Sequence, residues 1–373
     1  MDDFIILIPA LNPPRDILKS YLYELRDMGF TRILLVNDGS RAEYDEFFDK
    51  LIREGFDVFT HYKNFGKGRA LKNSFNYILN TYEDFSYVIT VDSDGQHKAS
   101  DVQNIANIVK ESEVAMYLGS RDFNEEGVPF KSSFGNKTTS FVYKLMFYDK
   151  IGDTQTGLRA IPKAYLSDFL DLPGERFEYE INMLINSSQT KKKIIEIPIE
   201  TVYFDNNSET HFHPIKDSFK IYRVMLGTFF KFIISSLSSF LVDIGAFTVL
   251  TKFLPKLLAT SSRVIWASTA LARIISGIFN YNVNKNLVFA DEKKDKSKFI
   301  EYVSLWLCQL LLSAFFVDMI FERVNMNASL IKLIVDTIIF LLSFTIQNKF
   351  IFNGDWFESY FCNYILNLKF FRI

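Results

Sequence analysis

YVITVDSDGQH, residues 87–97, decides how the first half of the chain is read. It opens as an apolar run of strand character and then turns polar, with Asp92 and Asp94 one residue apart. Two like charges about 4 Å apart repel by roughly 4 kcal/mol at an effective dielectric near 20, so a chain that gathers them gains something from what they bind. In extended chain alternate side chains share a face, which lets Asp92, Asp94 and Gln96 converge. Oxygen ligands of this kind suit Mg²⁺ or Mn²⁺, ions that also take oxygens from a diphosphate. On spacing alone an Asp-Gly turn in a surface loop is the commoner outcome. An EF-hand is excluded, because the spacing and the terminal glutamate are missing.

Outward from that stretch, FIILIPA (4–10), RILLVND (32–38), DVFTH (57–61), YVITVD (87–92) and VAMYLGS (114–120) are short β-branched runs. Between them Asp16–Met28, Glu43–Glu54, Arg69–Thr81 and Asp101–Lys110 have helical period. Ser100 and Gln103 have capping-box spacing, which predicts a helix start just after DSDGQH. Strands alternating with helices predict an α/β fold, a Rossmann-like and mostly parallel sheet covered on both faces. Ligands of such sheets bind outside the carboxyl ends of the strands, so PALN, NDGS and DSDGQ belong on one rim. Further on, 137–147 and 177–188 read as helices and 192–204 as a strand or hairpin.

The chain has 373 residues and a formal charge of −2, which gives no reason to expect nucleic acid as a partner. Cys308 and Cys362 are its only cysteines, too few for a disulfide framework. The MDD start lacks the basic flank of a cleavable signal peptide. From Phe229 onward the composition changes. Phe232–Leu250, Val264–Tyr281, Ile300–Ile320 and Leu330–Phe350 are each near the roughly 20 residues that cross a bilayer, predicting an all-α, four-helix transmembrane domain. Lys285, Lys293, Lys294, Lys296 and Lys298 place the 283–299 linker in the cytoplasm by the positive-inside rule. An even number of spans then puts the first domain and the C-terminus on the same side of the cell membrane. Asp243, Arg273, Asp318 and Asp336 fall inside the spans, where they either pair structurally or touch a phosphate headgroup. FNYNVNKNLVF (279–289) and LSFTIQNKFIF (342–352) close two-span units in the same way and read as a weak internal repeat.

Before the first span, Ile215, Phe219, Tyr222 and Leu226 recur at helical spacing with Lys216, Lys220 and Arg223 interleaved. This predicts a basic amphipathic helix in the membrane interface, a helix packed on the soluble domain being the alternative. The aromatic tail reads as interfacial too. The expected division is therefore 1–210 catalytic, 211–229 juxtamembrane, 230–352 transmembrane and 353–373 tail.

Other motifs fall on the rim. Asp38 in VNDGS can accept from a base or ribose, or serve as a turn residue. NFGKGRALK (64–72), containing Lys67, admits close approach of a nucleotide or is a plain loop and cap; it lacks P-loop spacing. Arg121 in LGSR is a phosphate clamp or a surface ion pair. Asp153 is a base or a structural turn residue. His211 and His213 lack further metal ligands nearby and read as a polar loop. Glu180 either positions substrate or caps its helix.

Taken together, IPALN, VNDGS, NFGKGRAL, DSDGQH, LGSR and DTQTGLRA make the first ~220 residues similar to family 2 glycosyltransferases of the GT-A fold. They resemble most the branch that loads sugars onto polyprenyl phosphates, as dolichyl-phosphate mannose synthases do. Residues 230–352 resemble the four-span GtrA family. The resemblance implies that Pro9, Ala10, Asn12, Asp38, Lys67 and Asp92 line the nucleotide site. It implies that Asp92, Asp94 and Gln96 carry a Mg²⁺ or Mn²⁺ ion, and that Asp94, Arg121, Lys131 and Asp153 serve catalysis. Lys131 stands where the family often has arginine, and Pro13 where it often has glutamate. The expected activity is inverting transfer of a hexose from UDP-glucose or GDP-mannose to undecaprenyl or dolichyl phosphate. The alternatives are transfer to a hydroxyl of a lipid-linked glycan and a lipid-sugar translocator or scaffold. The expected partners are the nucleotide sugar, the polyprenyl phosphate and the membrane, with room for a homo-oligomer.

Overall fold

The structure is a computed structural model that describes residues 3–124, 128, 130–147, 149–200, 214–254, 261–289, 297–324 and 327–352. It divides into two compact units between Met225 and Leu226.

The first unit is built on β1 (Phe4–Ala10), whose side chains alternate between two cores. Phe4, Ile6, Ile8 and Ala10 face α1 (Arg15–Asp27), α2 (Asp45–Arg53) and α4 (Ala99–Glu111). Ile5 and Leu7 face the core formed with α3 (Lys67–Thr81), α5 (Phe130–Phe147), α6 (Lys163–Leu170), α7 (Glu178–Gln189) and α8 (Pro214–Met225). Burial of both faces is why the strands read as continuous apolar runs. β1 pairs in parallel with β2 (Ile33–Asn37) and β4 (Tyr87–Thr90), and β2 with β3 (Asp57–Thr60). The seven-stranded order is β3-β2-β1-β4-β6-β5-β7. β6 (Arg159–Pro162) is inserted antiparallel to both β4 and β5 (Met116–Arg121), and β7 (Ile194–Ile199) runs parallel to β5. β5 therefore points the same way as β1, β2 and β4, and their carboxyl ends share one rim, as a GT-A fold requires.

Three local expectations change. β4 ends at Thr90, and Gly95 takes φ +78° in the turn that follows. Asp92 and Asp94 thus meet through a turn, not through strand alternation. α4 already includes Ser100, and its N-cap position is Lys98 with no side-chain cap, so the capping box does not form. In α8, Ile221 and Met225 fill the second core, and the Tyr222 hydroxyl lies 3.3 Å from Thr139 Oγ1 of α5. This face packs within the first unit, the alternative the sequence left open, while Phe219 of the expected apolar stripe stays 67 % exposed.

The second unit holds α9 (Gly227–Phe253), α10 (Ser261–Val283), α11 (Ser297–Phe321) and α12 (Ala328–Ile346). Among the described residues three helices are long and apolar enough to span a membrane: Gly227–Phe253, Ser297–Phe321 and Leu330–Phe352. α10, the second expected span, has 23 residues but is more polar, and several of its polar groups meet α9. Arg273 lies 3.7 Å from Asp243, Ser276 donates to Asp243 at 3.1 Å, and Asn280 donates to Ser239 at 2.8 Å.

The internal repeat is visible as a local two-fold relation. α10 and α12 both end in π-helical turns, Asn284–Val288 and Gln347–Phe352. Asn284 Nδ2 donates to Gln347 Oε1 at 2.9 Å across a separation of 63 residues, and the same offset relates Phe289 to Phe352, which stack at 4.8 Å. Tyr281 sits 5.0 Å from Phe299 and 5.3 Å from Tyr302. Its counterpart Phe344 sits 5.0 Å from Phe229 and 5.3 Å from Phe232. The Asn284-Lys285 and Asn348-Lys349 dipeptides of the two segments are one residue out of this register.

Candidate active site

The DSDG turn leaves β4 beside the first turn of α3 and the last residues before β6. Asp92 Oδ1 accepts an ion pair from Lys67 Nζ at 2.6 Å, and Nζ reaches Glu180 Oε1 at 2.9 Å. His97 Nε2 lies 3.7 Å from Asp92 Oδ2. The carboxylate packs on the bare backbone of Gly157, where a Cβ would lie 2.6 Å from Oδ1 and closer still to Oδ2. Burial raises the Asp92 carboxyl, but the Lys67 ammonium and the His97 ring outweigh it and hold the group well below the usual carboxylate range. Burial and then the Asp92 charge push Asp94 up, and the backbone N–H of Gln96, donating to Asp94 Oδ1 at 3.1 Å, offsets part of this. Burial works against the Lys67 charge, yet Asp92 and Glu180 together keep its ammonium above the ordinary lysine value.

Lys67 is held here by a clamp between α3 and α7. The backbone N–H of Arg69 donates to Glu175 O at 3.0 Å, and the Arg69 guanidinium grips the Glu175 carboxylate, which Lys72 also reaches at 3.2 Å. Gly68 allows the close contact, since a Cβ there would lie 2.6 Å from Tyr179 Cβ. Arg159, fully buried, donates to Thr156 O at 2.9 Å and Glu180 O at 2.8 Å, tying the DTQTG loop to α7.

Several expected site residues are held by contacts within the protein. Asp38 is buried, with Oδ1 2.7 Å from His61 Nδ1 and accepting from Phe65 N at 3.1 Å, and Oδ2 accepting from Gly66 N at 2.9 Å. Those contacts anchor the 61–66 loop, as the structural reading of Asp38 has it. Asn12, in the left-handed region at φ 45°, accepts from Arg41 N through Oδ1, and its own N–H donates to Ser40 Oγ. It braces the β2 loop. Pro9 and Ala10 close β1 against Val36 and Asn37, on the rim. Asp153 is fully buried and takes both Arg121 Nε (2.6 Å) and Nη2 (3.1 Å). Both oxygens of the carboxylate are engaged, so Arg121 and Asp153 form a bidentate pair. Gln96 is half-buried at the turn. Lys131 falls within α5, but its side chain lies outside the described residues, as do His211, His213 and the 353–373 tail.

Sequence reasoning left His97, Gly157 and Arg159 without roles. His97 was in the quoted motif, and its signal is burial: it is 4 % exposed with Nδ1 lacking any hydrogen-bond partner, uncommon for a buried polar atom. Gly157 and Arg159 sat inside a recognised motif whose strand, β6, is too short to read as one.

The residues present fit a hard divalent cation. Asp92 and Asp94 supply two carboxylates at a rim, an orphaned ring nitrogen lies behind them, and the glycine cradle lets Asp92 adopt its position. Among the described residues no group of three His, Cys, Asp or Glu converges.

Residues 5–170 match the model of Glycosyl transferase family 2, and residues 223–352 match that of the GtrA/DPMS transmembrane domain. An uncharacterized protein of Methanocaldococcus jannaschii is 32% identical over 206 residues, covering 54% of this chain and 82% of that protein. The UDP-N-acetylglucosamine–dolichyl-phosphate N-acetylglucosaminyltransferase of Methanococcus voltae is 26% identical over 216 residues, covering 53% and 85%. Among solved structures, glucosyl-3-phosphoglycerate synthase from Mycobacterium tuberculosis, in complex with Mn²⁺, UDP and glucosyl-3-phosphoglycerate, superposes at a TM-score of 0.46 with 15% identity, covering 61% of this chain and 79% of that one. The chain belongs to glycosyl transferase family 2, and its catalytic unit is followed by a GtrA/DPMS transmembrane domain.

Proposed function

We propose that the protein transfers a hexose, with inversion, from a nucleoside diphosphate sugar to a polyprenyl phosphate at the cytoplasmic face of a membrane. The observation that carries the choice of acceptor is the state of Asp153. A sugar hydroxyl needs a base to take its proton, and the carboxylate best matched to that task is buried and bound to Arg121 through both oxygens. A phosphate monoester has its second pKa near 6 and is already an anion at neutral pH. Its oxygen attacks the anomeric carbon, the bond to the nucleoside diphosphate breaks, and no proton has to be removed.

Asp92 and Asp94 would hold the Mg²⁺ or Mn²⁺ ion. When bound, that ion neutralises charge on the leaving diphosphate. Gly157 and His97 fix the Asp92 carboxylate, and the loop anchored by Asp38 sets the start of α3 against the donor. Arg121, oriented by Asp153, contributes directional N–H donors to the acceptor phosphate, while Lys131 in the first turn of α5 contributes charge. The outer face of α5 exposes Phe134, Phe141 and Leu145 with Lys137 and Lys144 alongside. An apolar stripe edged with lysines suits the headgroup region and supports work on a lipid-borne acceptor. The identity of the Methanococcus voltae relative also favours a dolichyl phosphate acceptor.

The test is to incubate the purified full-length protein with Mn²⁺, a polyprenyl phosphate and a panel of radiolabelled nucleotide sugars, and to extract the lipid. We expect label in an acid-labile glycosyl phosphodiester, lost on adding excess EDTA. Label joined instead to a glycan hydroxyl, or undiminished transfer in chelator, overturns the reading.

A further inference from the structure

Lys67 stands between two carboxylates, and only one of them belongs to the candidate metal pair. Its Nζ is 2.6 Å from Asp92 Oδ1 and 2.9 Å from Glu180 Oε1. The contact with Glu180 is the more sheltered, its side chain being 8 % exposed against 31 % for Asp92. The other oxygen of Asp92 packs on Gly157 and lies beside His97. A divalent cation that binds Asp92 therefore meets an ammonium already seated on it. Like charges at hydrogen-bond range repel strongly where water is scarce, so the two cations compete for the same oxygen.

We infer that Lys67 is a resident counter-ion that the metal displaces, and that Glu180 is the berth that receives it. Without metal, Lys67 neutralises Asp92 and lowers the repulsion between Asp92 and Asp94. As the metal engages Asp92, the ammonium withdraws toward Glu180, where one ion pair is already made. The α3–α7 clamp of Arg69, Lys72 and Glu175 keeps the two berths within reach of one side chain. Glu180 is thus a positioning residue, acting on the metal through Lys67. The inference rests on the metal-dependent reading above.

The competition gives opposite signs for two substitutions, read as Mn²⁺ binding to the full-length protein by the electron paramagnetic resonance of free Mn²⁺. Lys67→Met removes the competitor and should tighten Mn²⁺ binding by about ten-fold, within the usual range of coupling between two ligands. Glu180→Gln removes the receiving berth and should weaken binding. The double variant Lys67→Met/Glu180→Gln should bind like Lys67→Met alone, because an empty berth does not matter once the ammonium is gone. Lys67→Arg, which keeps the charge, should stay close to wild type and guards against a fold defect. If Lys67→Met leaves Mn²⁺ binding unchanged or weaker, the inference fails. If the double variant stays as weak as Glu180→Gln, Glu180 is a direct ligand and the inference fails. If wild type binds Mn²⁺ normally and only these signs are wrong, the metal-dependent reading survives; if wild type binds none, both fall.

Discussion

At the scale of single residues, Gly157 is where the backbone leaves least freedom. The Asp92 carboxylate occupies the volume that a Cβ at residue 157 would fill, so alanine there must move either the carboxylate or β6. β6 is hydrogen-bonded on both sides, and the Thr90 hydroxyl donates to Gly157 O at 2.8 Å, so the carboxylate is the part that yields. Misplacing a catalytic group by about an ångström costs roughly 100-fold in rate. Overpacking of this kind costs about 1–3 kcal/mol of stability. Gly157→Ala should therefore lose about 100-fold in kcat while still melting cooperatively, checked by transfer assay and thermal denaturation of the same preparation. Full activity in that variant would mean that Asp92 does not work from the position seen. No reading of the sequence could have reached this glycine, because its constraint comes from a side chain in the distant turn after β4.

At the scale of elements, legibility followed the balance of local and distant causes. β1 through β4 were readable because each is an apolar run bounded by polar turns, and their rim followed from a rule of parallel sheets. β6 was not, since four residues between Gly157 and Lys163 carry no period, and only pairing with β4 and β5 makes them a strand. The rim motifs lie near the carboxyl ends of their strands, and for Asp38 and Asp153 the sequence leaves a ligand-facing and a structural role both open. Sequence shows that a carboxylate lies at a strand end but not which donors meet it. The repeat was partly legible, and structure supplies its meaning: equivalent residues of the two hairpins meet at Asn284 and Gln347. Both amides are buried and join a network through Asn280, Ser235 and Ser343. Replacing one partner strands the other, whereas replacing both removes the need. Asn284→Leu and Gln347→Leu should each lower the melting temperature in detergent, and the double variant should be more stable than their sum predicts. Side-chain hydrogen bonds between membrane helices average about 0.6 kcal/mol and reach about 1.7, which sets the coupling energy a double-mutant cycle should find. Strict additivity would show that the hub does not hold the hairpins together.

At the scale of the whole molecule, the question is where the catalytic unit ends. α8 directly precedes the first membrane helix, and its composition suggested that it belonged to the interface. Its Ile221 and Met225 are nevertheless part of the core shared by α3, α5, α6 and α7, and Asp217 is buried as well. Burying an aliphatic side chain of this size stabilises by about 1.5–3 kcal/mol, so α8 carries a large share of a domain's net stability. A fragment of residues 1–225 should fold and melt cooperatively, because both cores are complete within it. A fragment of residues 1–213 should melt lower or aggregate, since removing α8 uncovers α5 and α7. The longer fragment should also bind nucleotide sugar and glycosylate a short, water-soluble prenyl phosphate, yet transfer poorly to a long-chain acceptor in liposomes, where the membrane domain no longer holds it to the surface. Thermal denaturation and the two acceptor assays separate these effects. Equal stability of the two fragments would return α8 to the interface and leave the catalytic unit ending before it.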